Sequence, residues 1–321
     1  MIYKKSKIYI AGHKGLVGSA ILRKLRLKKY QNLIYKTRNQ LDLTDQSKVH
    51  TFLKKNKPDA VIIAAARVGG IQANNESKAE FIYENLAIQN NVLHACHVNN
   101  IKKLLFLGSS CIYPKFASQP IKEEELLNGV LEETNEYYAV AKISGILQCK
   151  AYNVEFDQDY RCVMPTNLYG QNDNFHPINS HVIPGLIRRF HEAKLNKLGT
   201  VEIWGTGSPR RDFLHVDDMA KACIHVMESS KEEYRSVLDS KVSHLNVGSG
   251  TDFKISEIAK IIKDVVNFEG SIEYDLSKPD GTPRKLLDNT RLNSLGWKPE
   301  YDLKAGITKT YEWALNSDIF L

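Results

Sequence analysis

The segment Gly12-His13-Lys14-Gly15-Leu16-Val17-Gly18 restricts what this chain can fold into more than any other. It follows a short apolar run, Lys7–Ala11, and leads into a stretch of helical period, Leu16–Leu27. Glycines at this spacing let a backbone turn tightly and approach a pyrophosphate, while a helix N-terminus offers unpaired N–H groups and a partial positive charge. A glycine loop alone also serves ordinary turns. Set between a strand and a helix, it opens a nucleotide-binding sheet.

The neighbouring sequence has the pattern such a sheet requires. Asn32–Lys36, Ala60–Ala65, Lys103–Leu107 and Arg161–Met164 are apolar runs of strand length, separated by helical stretches at Gln46–Lys55, Glu76–Val98 and Tyr138–Phe156. The alternation predicts an α/β fold, a doubly wound parallel sheet of the Rossmann type with right-handed crossovers. After Gly170 the character changes. Gln171–Ser180 is polar without period, His181–Lys194 has helical period, and Val201–Trp204 is a short strand before the turn Gly205–Pro209. The chain is expected to return to the sheet with Phe213–Val216, a helix from Asp217 to Glu228 and the strand His244–Val247, then to leave again from Thr251. Pro279–Pro283 reads as a rigid loop and Ala305–Leu315 as a final amphipathic helix. The expected division is a nucleotide-binding domain of residues 1–170 and 213–250 and a smaller α/β substrate-binding cap of residues 171–212 and 251–321.

Charge and cysteine usage narrow the function. The formal net charge of +7 comes from 44 Lys+Arg against 37 Asp+Glu, with the signs interleaved along the chain. That suits a small anionic ligand and argues against nucleic acid, which calls for a concentrated basic face. The five cysteines are scattered and never form C-x-x-C, which argues against a disulfide framework or a metal site. The longest purely apolar run, Ala60–Ala66, is too short to span a bilayer, and the N-terminus has no signal core, so no membrane partner and a cytoplasmic location are expected.

About twenty residues past the glycine loop, an NAD-preferring site would carry Asp or Glu for the ribose 2′-hydroxyl. This chain reads Lys36-Thr37-Arg38 there. A carboxylate repels a 2′-phosphate and a guanidinium grips one, so Arg38 points to NADP(H). Asp42 and Leu43 follow, in position to border the adenine. Ala64-Ala65-Ala66 closes a strand where bulky side chains would obstruct the cofactor.

Tyr138-x-x-x-Lys142 opens a helical segment, and this spacing puts both side chains on one face. The ammonium is expected to lower the phenol from its ordinary pKa of about 10. Tyr138 would then protonate a ketone oxygen as hydride reaches the carbon, and Ser109, just past a strand end, would bond the same oxygen. Such a pair occurs by chance in many helices. Here it coincides with the glycine loop and with Ser109, and the set resembles the extended short-chain dehydrogenase/reductase family.

Within that family, GSSCIYP (Gly108–Pro114), MPTNLYG (Met164–Gly170), DNFHP (Asp173–Pro177), SHVIP (Ser180–Pro184), LIRRFHEAK (Leu186–Lys194), FLHVDD (Phe213–Asp218) and KPDGTPRK (Lys278–Lys285) resemble the GDP-L-fucose synthase branch over nearly the whole chain. Ser110-Cys111 stands where the family's sugar-nucleotide 4,6-dehydratases carry Asp-Glu, which argues against dehydration. The resemblance implies an NADP-dependent oxidoreductase that reduces carbon 4 of a GDP-4-keto-6-deoxy-sugar after epimerising carbons 3 and 5. It implies Cys111 and His181 as the epimerising base and acid. It also implies a cofactor site of residues 12–18 with Arg38, Asp42, Leu43, Ala65, Leu107, Gly108, Lys142, Pro165, Asn167, Leu168 and His181. Arg189, Trp204, Arg211, Asp280 and Lys285 would hold the GDP-sugar, and Glu76–Val98 with Tyr138–Phe156 would form a homodimer. By residue type alone, Cys111 reads equally as a small buried residue and His181 as a helix cap. Tyr137 and Gln171-Asn172 depart from the proline-containing loops commoner among relatives and leave open a carbon-4 reductase of a GDP-4-keto-6-deoxy-heptose with little epimerase activity. A catalytically silent NADP-binding regulator is the non-enzyme alternative, opposed by the intact Ser109, Tyr138 and Lys142.

Overall fold

The computed structural model describes residues 1–69, 77–177, 179–278 and 280–320. Strands β1 (Lys7–Ala11), β2 (Asn32–Ile34), β3 (Ala60–Ile63), β4 (Lys103–Leu107), β5 (Asp159–Pro165) and, later in the chain, β9 (Leu245–Val247) form one six-stranded sheet. Its order is β2-β1-β3-β4-β5-β9 and every pairing is parallel. From β1 the chain moves out to β2, then crosses to β3 on the other side of β1. The loops leaving β1 and β3 therefore diverge, and a crevice opens at the carboxyl ends of these two strands.

Alternation along the strands builds two cores, one on each face of the sheet. Ile8, Ile10, Leu105 and Leu107 pack with Ile21 and Leu25 of α1 (Leu16–Leu27) and with Met219 and Cys223 of a later helix, Val216–Glu228. Tyr9, Ala11, Leu104 and Phe106 face the other way. They meet α2 (Gln46–Asn56), α3 (Lys78–Val98) and α4 (Glu136–Phe156) through Leu53, Val92 and Ile146. A third core joins α5 (Val182–Leu195) to helices Ile255–Val266 and Leu303–Leu315 through Ile187, Ile262 and Ile307.

Two smaller sheets carry the rest. The strands β7 (Thr200–Trp204) and β11 (Ser271–Asp275) pair in parallel. The strand β8 (Arg210–His215) pairs with β6 (Asn167–Tyr169), β10 (Asp252–Lys254) and β12 (Arg284–Lys285). Phe213–Val216 therefore does not rejoin the main sheet, contrary to the sequence expectation, whereas β9 does so beside β5. The reason is visible in two adjacent residues: Phe213 enters the third core and Leu214 the first. An apolar run announces a strand without saying which sheet supplies its partners. Glu76, where the sequence reading starts α3, and Pro279 of the expected rigid loop lie outside the described residues. No helix among the described residues is long and apolar enough to cross a membrane.

Candidate active site

At the end of β1, Gly12 turns the chain with a φ of +85°. A Cβ on Gly12 would sit 2.6 Å from the backbone nitrogen of Ala65, and one on Gly18 would sit 2.1 Å from the Gly12 carbonyl oxygen. Both positions admit only glycine, because loop, strand and helix touch there backbone to backbone. Gly15 is different. A Cβ there would meet the Gly12 oxygen at an ordinary 3.5 Å, and no side chain caps α1. The first turn of α1 thus presents its N–H groups towards the crevice side of the loop. Lys14 is exposed, and Leu16 and Val17 pack against the first core.

Around this loop the structure sets further groups suited to a dinucleotide. The His13 ring packs on Tyr35 with centroids 4.7 Å apart, and its Nδ1 is buried without a partner. Arg38 stands exposed beyond β2 and pairs with Glu84 at 3.3 Å. Asp42 accepts from the Thr44 N–H at 2.9 Å and hydroxyl at 2.8 Å, bonds that hold its carboxyl below the usual range, and Leu43 packs on the second core. Leu107 ends β4 and Gly108 follows it beside the Met164 thioether, which would have to shift for any Cβ there, at 2.2 Å from its sulfur. Pro165 ends β5, Leu168 is half-buried, and the Asn167 amide donates to the Asp212 carbonyl at 2.9 Å. An open helix end, an orphaned ring nitrogen and an exposed guanidinium fit a phosphorylated dinucleotide.

Ser109 caps the short turn Ser110–Ile112, its hydroxyl oxygen accepting from the Cys111 N–H at 3.4 Å. Tyr138 and Lys142 occupy successive turns at the start of α4. Lys142 Nζ donates to the Leu107 carbonyl at 2.9 Å and lies 5.6 Å from the centre of the Tyr138 ring. One ammonium thus ties the head of α4 to the end of β4, where Ser109 begins. Burial lowers its pKa to about 8, with Cys111 acting the other way. Burial also pushes the Tyr138 phenol well above its ordinary value, and Cys111 adds to that. The sequence expectation had the opposite sign. Loss of water around the phenol outweighs a cation whose proton is already engaged by a carbonyl. For a proton donor this direction is useful: the proton stays on until the accepting oxygen gains charge.

Cys111 is 7% exposed. Burial raises its thiol, against the pull of Lys285, Ser109 and Lys142. The pairing of β12 with β8 sets Lys285 opposite Arg211. Both cations are lowered by burial, and Lys285 acts on Cys111 directly. Arg211 donates to the carbonyls of Arg210 at 2.8 Å and Thr282 at 2.5 Å. Tyr138, Lys142, Cys111, Lys285 and Arg211 therefore form one connected electrostatic group.

His181 stands apart from that group. It stands at the N-cap position of α5 without a side-chain capping bond, 52% of its side chain is exposed, and its Nδ1 lies 3.7 Å from Asp173 Oδ1. The Asp173 carboxylate raises the imidazole pKa against the opposing effect of burial. Among the described residues no hydrogen bond, ion pair or ring contact joins His181 to Cys111 or Tyr138. Asp173 itself is a residue that sequence reasoning passed over except as part of a motif; its side chain is 3% exposed and its Oδ2 has no partner.

Farther out, Arg189 lies over the Trp204 ring at 5.2 Å and Lys278 at 5.9 Å. Trp204 is 53% exposed, a flat aromatic ring with two cations close to it. Asp280 has its carboxylate engaged: Oδ1 accepts from the Thr206 N–H at 2.9 Å and Oδ2 from the Thr206 hydroxyl at 2.6 Å. It braces the turn after β7.

Phenol, hydroxyl and ammonium beside a dinucleotide crevice are the equipment of a nicotinamide-dependent oxidoreductase. Residues 8–248 match the NAD dependent epimerase/dehydratase family, and the chain belongs to it. It is 56% identical over 317 residues to a putative GDP-L-fucose synthase 2 of Arabidopsis thaliana, covering 99% of this chain and 94% of that one. Identity to the GDP-L-fucose synthase of Escherichia coli K12 is 55%, covering 98% and 99%. Among solved structures, a GDP-mannoheptose C4 reductase from Campylobacter jejuni with NADP bound superposes with a TM-score of 0.91 at 40% identity, covering 98% and 100%.

Proposed function

We propose that this chain acts as GDP-L-fucose synthases do, epimerising a GDP-4-keto-6-deoxy-mannose at carbons 3 and 5 and reducing carbon 4 with NADPH. What carries the reading is the grouping of Tyr138, Lys142, Ser109 and Cys111 at the carboxyl end of β4, in a chain 55% identical end to end with an enzyme of that name. NADPH, when bound, supplies the hydride. The Tyr138 hydroxyl gives its proton to the carbon-4 oxygen, and Ser109 donates a hydrogen bond to the same oxygen. Lys142 stabilises the phenolate left behind.

Epimerisation uses the same ketone. A carbonyl at carbon 4 acidifies both neighbouring C–H bonds, and the donors that later assist reduction stabilise the enolate. Cys111, as thiolate, removes the proton, and His181, whose pKa Asp173 raises, returns one from the opposite face. Lys285 and Lys142 oppose, in part, the burial that works against the thiolate. Arg38 would hold the cofactor's 2′-phosphate, the α1 N-terminus its pyrophosphate, and Arg189, Trp204, Arg211 and Lys285 the GDP-sugar. The chain forms a homodimer through α3 and α4, a reading supported by exposed Val140, Leu147 and Val154 at heptad spacing along α4. A cytoplasmic location goes with a sugar-nucleotide substrate.

Offered the keto-hexose and NADPH, the protein should oxidise the nicotinamide and give a product inverted at carbons 3 and 5 by NMR. Reduction without inversion, or of the corresponding heptose alone, would replace this reading with that of a plain carbon-4 reductase. If neither sugar consumed NADPH, the enzymatic reading would fall.

The pH dependence has a definite sign. Lys142 has its pKa lowered to about 8, so its ammonium is present below that value and lost above it. Reduction should therefore run on a plateau below pH 8 and decline as pH rises through it, read as log kcat/KM against pH for a ketone already epimerised, which needs no thiolate. A profile still flat a unit and a half above that point would exclude a charged Lys142 from the rate.

A further inference from the structure

We propose that Glu84 is a built-in competitor for the cofactor's 2′-phosphate, a carboxylate that holds Arg38 when the site is empty and weakens the grip on NADP(H) when it is filled. The inference rests on the reading of Arg38 as the phosphate's partner. Arg38 has 68% of its side chain exposed, and its ion-pair partner among the described residues is Glu84, Nη1 to Oε2 at 3.3 Å. Glu84 cannot follow it outward. Its side chain is 15% exposed, and Oε1 is fixed by Arg67 Nη1 at 2.7 Å. Arg67 is itself anchored: Nη2 reaches Glu80 at 2.5 Å, and its backbone exchanges two 3.0 Å hydrogen bonds with the Asn85 amide. The carboxylate is thus the fixed member of the pair and the guanidinium the movable one.

Charge bookkeeping gives the sign. Arg38 and Arg67 face Glu80 and Glu84, so the formal charges of the cluster cancel before any ligand arrives. A phosphate monoester brings roughly 1.5 to 2 negative charges. It wins the exposed guanidinium, because a forked guanidinium–phosphate contact is stronger than a long, solvated ion pair. Glu84 stays behind, held by Arg67, and repels the phosphate that displaced it. A dinucleotide with a free 2′-hydroxyl brings no such charge and feels none of this repulsion.

The test compares Glu84→Gln with the unmodified protein in binding titrations of NADPH and NADH, followed by nicotinamide fluorescence at low and high salt. Glutamine keeps the side chain's length and an oxygen for Arg67, and equal melting temperatures would verify that the fold is intact. NADPH should bind about five- to tenfold more tightly at low salt, with the gain shrinking at high salt, and NADH binding should not change. Release of NADP should slow in proportion. Unchanged or weaker NADPH binding, or an equal gain for NADH, overturns the proposal. Arg38→Ala separates it from the reading beneath it. Loss of NADPH affinity there without a gain in Glu84→Gln removes only the competitor role, whereas undiminished NADPH affinity in Arg38→Ala removes both.

Discussion

Tyr138→Phe should lower the rate of carbon-4 reduction by about 10²–10⁴-fold, the span that a positioned general acid contributes. The substitution deletes one oxygen and keeps the ring that lies near Lys142 Nζ, so the head of α4 and its bond to the Leu107 carbonyl should survive. NADPH affinity should therefore stay close to that of the unmodified protein. Single-turnover oxidation of bound NADPH by the keto-sugar is the measurement. A rate within a few-fold of the unmodified one would end the assignment of Tyr138 as the proton donor.

Cys111→Ser should separate the two halves of the reaction. A serine hydroxyl is far less acidic than a thiol, and burial at this position works further against its ionised form. Incorporation of solvent deuterium at carbons 3 and 5 should drop by about 10²–10⁴-fold, while a ketone already epimerised is still reduced. The small change in volume at a site 7% exposed leaves the end of β4 in place. Deuterium exchange at an undiminished rate would show that another group removes the proton.

Much of this architecture was legible in the sequence. The strands β1 to β5 announce themselves as apolar runs between helical stretches, and the glycine loop falls between β1 and α1 as read. The short strands β6, β10 and β12 were not legible, because two or three residues carry no period and owe their pairing to β8. The pair Tyr138 and Lys142 was found from helical spacing, but the direction of the phenol's shift was missed. Spacing reports which charges lie near; burial depends on everything packed around them, and at Tyr138 and Cys111 burial dominates. The motif running from Lys278 to Lys285 shows the same limit. Its Asp280 is tied to Thr206 at the surface and its Lys285 acts on Cys111, a divergence no local pattern encodes.

The placement of β8 has a consequence for how the molecule comes apart. Phe213 and Leu214, neighbours in the chain, belong to different hydrophobic interiors. Melting either interior loosens the strand that anchors the other, so heat or denaturant should couple the loss of the two. Severing the chain near this strand would yield no autonomous half, since both interiors draw residues from before and after the cut.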